Sequence, residues 1–318
     1  MGLTFNGKTP ESITIGGKAV ASLSINGDVV WPEVVNDNYF FITNNYNGSN
    51  TITVTKNGAP TTGSDLAYSL DKNTWTTCTY SQNKCTITLA NRNDKVYFRS
   101  TTGLSSSASY MYTIRGSQNH IAGGDLRTLL DYTDVSLNTT PHHCFYRLFN
   151  GDAKLQSVSA LDFSELTILA DYCYAQMFRG CVSLYSAPEL PATTLATSCY
   201  AEMFYECNSL YDPPILPATT LAENCYDGMF TYCTSLTYSP ELPATTLATS
   251  CYDGMFTYCY NLEAVITYAT SWNNGEDSVD WLADVAGSGV FYNLGEAPNI
   301  PEDDISGCPP GWTIETSI

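Results

Sequence analysis

Nucleophilic and metal-binding chemistry needs thiols, imidazoles or carboxylates held close together, and this chain offers few such groupings. It has 12 cysteines but only three histidines, His120, His142 and His143. His142-His143-Cys144 is the one place where imidazole and thiol adjoin, so it is the candidate for a metal ligand set or a Cys–His nucleophile pair. No accompanying motif supports either role. No Cys-x-x-Cys occurs, so the usual zinc-ligand spacing is missing. Glu302-Asp303-Asp304 lacks the alternating spacing of a calcium loop, and a solvated turn is expected there. No Gly-x-Ser-x-Gly, phosphate-binding loop or dinucleotide fingerprint is present. Leu-Pro-Ala-Thr matches a sortase signal superficially, but it is internal, repeated and followed by Thr rather than Gly. The expectation is a chain with no catalytic residue, metal or cofactor.

The chemistry that remains is contact chemistry. The 23 tyrosines outnumber the 13 lysines and arginines, and the formal charge is −19. Arg179 is the last basic residue, and beyond it the chain is polyanionic. Such a chain has no electrostatic footprint for nucleic acid or an anionic membrane. No apolar run approaches the roughly 18 residues of a membrane span. Tyrosine supplies contact area at low entropic cost and a hydroxyl that pairs with sugars. Tyr205, Tyr211, Tyr232, Tyr238 and Tyr258, with Tyr260, fall at positions that vary between repeats, with Glu206, Asp212 and Asp227 nearby. These five tyrosines are the candidate binding residues for a neutral or cationic, hydroxyl-rich partner; packing between coils is the alternative for each.

Repeats must position them. Cys199-Tyr200-x-x-Met203-Phe204-x-x-Cys207-x-Ser209-Leu210 recurs 26 residues later as Cys225–Leu236, with further copies at Cys173–Leu184 and Cys251–Leu262. Leu-Pro-Ala-Thr-Thr-Leu-Ala separates them at 190–196, 216–222 and 242–248. A degenerate copy begins at Cys144, with Asp152 in place of the second cysteine. Cysteines and methionine at i, i+4 and i+8 read as one face of a short helix, and the prolines keep the return segment extended. This predicts a leucine-rich-repeat solenoid, a helix on one side of each coil and a strand on the other. Cysteines eight apart on a helix lie about 12 Å apart and cannot pair, so buried free thiols are expected.

Upstream, 1–36 repeats every ten residues around Asn6-Gly7, Gly16-Gly17 and Asn26-Gly27, which suits tight hairpins. Strand candidates at 39–43, 51–55, 66–69, 85–89, 96–100 and 110–114 suggest an antiparallel, immunoglobulin-like sandwich over 37–127. Cys78 and Cys85 flank a hairpin within it and are expected to be unpaired. The fold class expected is multidomain: a β-repeat anchor (1–36), the all-β sandwich (37–127), an α/β leucine-rich-repeat solenoid (128–262) and an aromatic-rich C-terminal cap (263–318).

The repeat units resemble BspA-type leucine-rich repeats of gut Bacteroidetes bacteria and their phages, over roughly His142–Leu262. The tail with Trp281, Gly289-Val290-Phe291 and Pro310-Gly311-Trp312 is similar to the ending of those proteins. The ten-residue repeats look like attachment segments of phage fibres, and the stretch Tyr68–Trp75 is similar to the sandwich that precedes such repeats. The resemblance implies a non-enzymatic virion protein of a crAss-like phage. It would be a head or tail fibre docked on other virion proteins through 1–36 and adhering to a host-surface glycan or protein. A homo-oligomer, with a trimer favoured, follows from the same likeness, while the acidic charge leaves no nucleic-acid or membrane partner expected. No secretory signal opens the sequence, so synthesis in a host cytoplasm and residence in the virion are expected. A capsid or tail decoration without a receptor, or a bacterial surface adhesin, are the alternatives.

Overall fold

Alternating apolar and polar residues build the first hundred positions. The computed structural model describes residues 14–15, 18–25, 28–34, 38–58, 66–100, 103–104, 111–134, 136–272, 277–298, 300–303 and 306–318. Strands β1 (Thr14–Ile15), β2 (Lys18–Ile25) and β3 (Asp28–Val34) form an antiparallel sheet in that order. The hairpin dipeptides Asn6-Gly7, Gly16-Gly17 and Asn26-Gly27 lie outside the described residues. Eight strands follow: β4 (Phe40–Asn44), β5 (Asn50–Asn57), β6 (Ala67–Ser69), β7 (Thr76–Thr77), β8 (Lys84–Leu89), β9 (Lys95–Arg99), β10 (Met111–Gly116) and β11 (His120–Asp125). In β5, Ile52 and Val54 are fully buried while Thr51, Thr53 and Thr55 face outward, and β8 alternates in the same way. Cys78 and Cys85 are free and buried.

The sheets are β10-β5-β8 and a six-stranded sheet that ends in β12 (Leu155–Asp162). Strand β12 pairs in parallel with β11, so the sheet is not purely antiparallel and continues past residue 127. Gly123 and Gly124 permit this. A Cβ on Gly124 would lie 2.2 Å from the Tyr39 carbonyl oxygen, and one on Gly123 would lie 2.9 Å from the Ala160 Cβ. Side chains at these positions would hold β11 away from both neighbours.

The expected α/β leucine-rich-repeat solenoid does not form. Among the described residues strand far outweighs helix. The only helix among the described residues is α1 (Thr128–Asp131), four residues long. What overturns the helices is backbone sign. Ser198, Glu202 and Glu206 have φ of 52°, 51° and 60°, and Asn224, Gly228, Tyr232 and Ser250, Gly254, Tyr258 repeat the pattern. A left-handed residue at every fourth position is incompatible with a right-handed helix. Each repeat is instead a ribbon of tight turns. The amides of Ala201, Met203 and Tyr205 donate three residues back, to Ser198, Tyr200 and Glu202. The alternate amides of Tyr200, Glu202, Phe204 and Glu206 donate to carbonyls of the next repeat, at Cys225, Asp227, Met229 and Thr231 (2.7–3.1 Å). A four-residue turn period and the 3.6-residue helical period both put Cys, Met and Cys on one face, which is why the pattern misleads.

Repeats therefore stack through main-chain bonds, and their cores form columns. Phe149, Phe178, Phe204, Phe230 and Phe256 stack with centroids 5.5–5.7 Å apart, all fully buried. Phe145, Tyr174, Tyr200, Tyr226 and Tyr252 form a second column. The thiols of Cys181, Cys207, Cys233 and Cys259 each donate to the carbonyl of a phenylalanine one repeat back, at 3.1–3.2 Å. All 12 cysteines are free and buried.

The register runs past Leu262. Amides of Tyr252, Gly254, Phe256 and Tyr258 donate to Asp277, Val279, Trp281 and Ala283, so a further turn ribbon occupies 277–284. Trp281 stacks on Tyr252 at 5.9 Å, and its indole N–H reaches the Gly307 carbonyl at 2.9 Å. On the return side, β13 (Tyr238–Leu242), β14 (Ala264–Thr267), β15 (Val290–Asn293) and β16 (Thr313–Glu315) form one parallel sheet in that order. No helix among the described residues is long and apolar enough to cross a membrane.

Candidate contact surface

Three of the five candidate tyrosines come together. Tyr232 and Tyr258 occupy left-handed corners of successive ribbons, with φ of 63° and 61°. Their half-buried rings stack at 4.4 Å with an interplanar angle of 17°. Tyr205 joins at 5.7 Å from Tyr232 and edge-on to it. Tyr260, 53 % exposed, extends the row at 6.1 Å from Tyr258. The guanidinium of Arg179 lies 4.2 Å over the Tyr205 ring and pairs with Glu202. Burial raises the Tyr205 and Tyr232 hydroxyls above the ordinary tyrosine range. Next in size are the Glu206 charge for Tyr205 and the Tyr258 hydroxyl for Tyr232. These phenols stay protonated and can donate at neutral pH.

Tyr211 and Tyr238 belong to a different edge, on the return side. Tyr211 is 57 % exposed, and the Tyr238 hydroxyl donates to Asp212 at 2.5 Å. That bond, then burial, raises the Tyr238 hydroxyl. The tyrosine that follows the first cysteine of each repeat, such as Tyr200, is buried core. The sequence marks Arg179 only as the last base of the chain; its place over Tyr205, one repeat on, comes from the stacked register.

The candidates for reactive chemistry are dispersed. His142 is exposed, 3.7 Å from Asp171, whereas His143 stacks on Tyr172 at 4.8 Å. Burial, then the His142 charge, lowers the His143 imidazole, with Asp171 opposing. Cys144 is buried, and burial holds its thiol well above the ordinary range, the opposite of an activated nucleophile. Among the described residues no group of three His, Cys, Asp or Glu side chains is placed to hold a metal. Asp303 accepts from the Ser306 amide at 2.6 Å, and Asp304 lies outside the described residues.

Comparison of the sequence with protein-family models finds no match. Curated proteins and solved structures likewise give none.

Near Tyr205 begins a column of acids, Glu202, Asp227 and Asp253; the two aspartates share a repeat position, and Glu202 sits one residue further along its own repeat. Burial first, then the Glu202 and Asp253 charges, push the Asp227 carboxyl up to about 6. An unfolded aspartate titrates near ~3.9. The folded state therefore holds this proton more tightly. The resulting stabilisation is complete below about pH 4 and is lost as pH rises through about 6. Asp227→Asn is expected to raise the melting temperature at pH 7 and to change it little at pH 4. Thermal unfolding at the two pH values checks this; an equal shift at both would count against it.

Proposed function

We propose that this chain is a non-enzymatic phage virion protein, a head or tail fibre, that presents the tyrosine row to a glycan or protein of the host surface. The observation that carries the reading is the row itself: Tyr205, Tyr232, Tyr258 and Tyr260 lie side by side across successive repeats. The main-chain bonds between ribbons hold their spacing, so a ligand meets a preorganised surface rather than loose loops. Aromatic faces take the apolar side of a sugar ring or a partner's aliphatic groups, and protonated phenols bond hydroxyls. The resemblance of the repeats to those of Bacteroidetes and their phages supports the virion setting. In that setting the N-terminal β module docks on other virion proteins and the fibre assembles as a homo-oligomer, with a trimer favoured.

Glycan arrays and adhesion to gut Bacteroidetes cells test the proposal with the triple variant Tyr205→Ala, Tyr232→Ala, Tyr258→Ala. The row is half-exposed, so the variant should keep its circular dichroism spectrum. Loss of three aromatic contacts is expected to weaken adhesion by roughly a hundredfold or more, at about 1 kcal/mol or more per ring. Undiminished adhesion by the folded variant would overturn the assignment.

A further inference from the structure

On the return side of the stack the parallel ladder has a gap, and a groove opens there. Ser186 bridges Asp212, and β13, β14, β15 and β16 pair in parallel, with a register shift between Tyr238 and Glu241, but no bridge joins 212–217 to 238–243 among the described residues. The proline particular to this layer is Pro213, where the neighbouring repeats have Ala187 and Ser239, and it supplies no amide for a ladder bond. The groove has a volume of about 610 Å³. Asp212 and Glu241 supply its carboxylates, and Ile215, Ile266 and the prolines supply apolar lining. The Tyr238–Asp212 hydrogen bond links the two sides.

Ile215 marks the groove as more than a packing gap. Its counterparts one repeat away on either side, each preceding the leucine of Leu-Pro-Ala-Thr-Thr, are Glu189 and Glu241. An isoleucine replaces a carboxylate at an exposed position and is itself 75 % exposed. An apolar spot bracketed by carboxylates, in a half of the chain without a single base, matches one kind of side chain. Lysine lays an aliphatic stem on apolar surface and holds its ammonium head among acceptors.

We propose that this groove docks an extended, lysine-bearing segment of a partner protein. The lysine stem lies against Ile215 and the prolines, and its ammonium group sits between Asp212 and Glu241. The groove is separate from the row of Tyr205, Tyr232 and Tyr258, so its test stands whether or not that row binds a host surface.

The probe is a fluorescent, end-blocked hexapeptide of alternating Val and Lys, with a Val and Glu counterpart, titrated against the full chain by anisotropy at low and high salt. Saturable binding of the Lys peptide is expected, weakened by salt and absent for the Glu peptide. The pair Asp212→Asn, Glu241→Gln should reduce affinity by roughly fivefold or more, and Ile215→Ser should do likewise. The control pair Glu223→Gln, Glu315→Gln removes the same charge elsewhere and should change affinity less than twofold. An equal loss in both pairs would reduce the effect to diffuse attraction by a polyanion and overturn the proposal. Salt-independent binding of maltoheptaose that is lost in Ile215→Ser would also overturn it, in favour of a neutral sugar.

Discussion

Phe204→Ala is expected to destabilise the protein by about 3–5 kcal/mol, the range for truncating a fully buried phenylalanine. The ring is fully buried and stacks on Phe178 at 5.5 Å and Phe230 at 5.7 Å. Truncation leaves a void between two rings that cannot close. The ribbons above and below are held at fixed spacing by Phe178 N–H to Met203 and Phe204 N–H to Met229 main-chain bonds. The Phe204 carbonyl would still accept from the Cys207 amide and the Cys233 thiol, so the loss reports the ring and not the backbone. Stacked repeats depend mainly on their nearest neighbours, and a damaged central layer weakens two interfaces at once. Denaturant unfolding followed by circular dichroism checks this. Phe204→Leu should cost about 1 kcal/mol, as a swap that keeps most of the volume. A Phe204→Ala midpoint equal to that of the parent chain would contradict the stacked column.

Asp152→Ala is expected to cost about 2–5 kcal/mol by a different route, from donors left without their acceptor at about 1–3 kcal/mol each. Asp152 stands where later repeats have Cys181, Cys207, Cys233 and Cys259. Its carboxylate is buried beside His120 of β11, with Nε2 to Oδ2 at 3.0 Å. The approach does not make a hydrogen bond, and the contact is one of proximity. The carboxylate also accepts from the amides of Gly116 and Lys154, both at 3.0 Å. Removing it takes the acceptor from two part-buried amides and leaves a void beside the buried imidazole of His120. Asp152→Cys restores the residue of the other repeats and keeps much of the volume, yet supplies no comparable acceptor. It is expected to remain well below the parent chain in stability. If Asp152→Cys matched the parent in denaturant unfolding, the joint between β11 and the first repeat would not depend on this carboxylate.

Some of this was readable from residue order and some was not. Strands β5 and β8 declare themselves because one face is buried and the other wet, which forces alternation. Strand β11 is not among the strand candidates, because Gly123-Gly124 carries no apolar side chains and serves instead to bring three strands close. The 26-residue period is explicit in the cysteines, and the bonds between repeats follow that register. The local backbone was misread because Ser198, Glu202 and Tyr232 carry no glycine signature for their positive φ; neighbouring ribbons impose it. The tyrosine row was partly legible. Tyr205, Tyr232 and Tyr258 stood out as variable residues, but only the left-handed corners explain why they meet while Tyr211 and Tyr238 lie elsewhere. The groove required the stacked arrangement itself, since a missing ladder bond has no mark within a single repeat.

The uniform bonding between ribbons carries a hazard for synthesis. Leu-Pro-Ala-Thr-Thr-Leu-Ala occurs three times unchanged, so a ribbon that pairs with its second neighbour and loops out the one between would satisfy nearly the same contacts. What distinguishes the correct partner sits at the amino-terminal end, where Asp152 meets His120 and Arg179 meets Glu202. A chain that folds as it leaves the ribosome completes that end first, and each finished layer then templates the next before a competing copy has emerged.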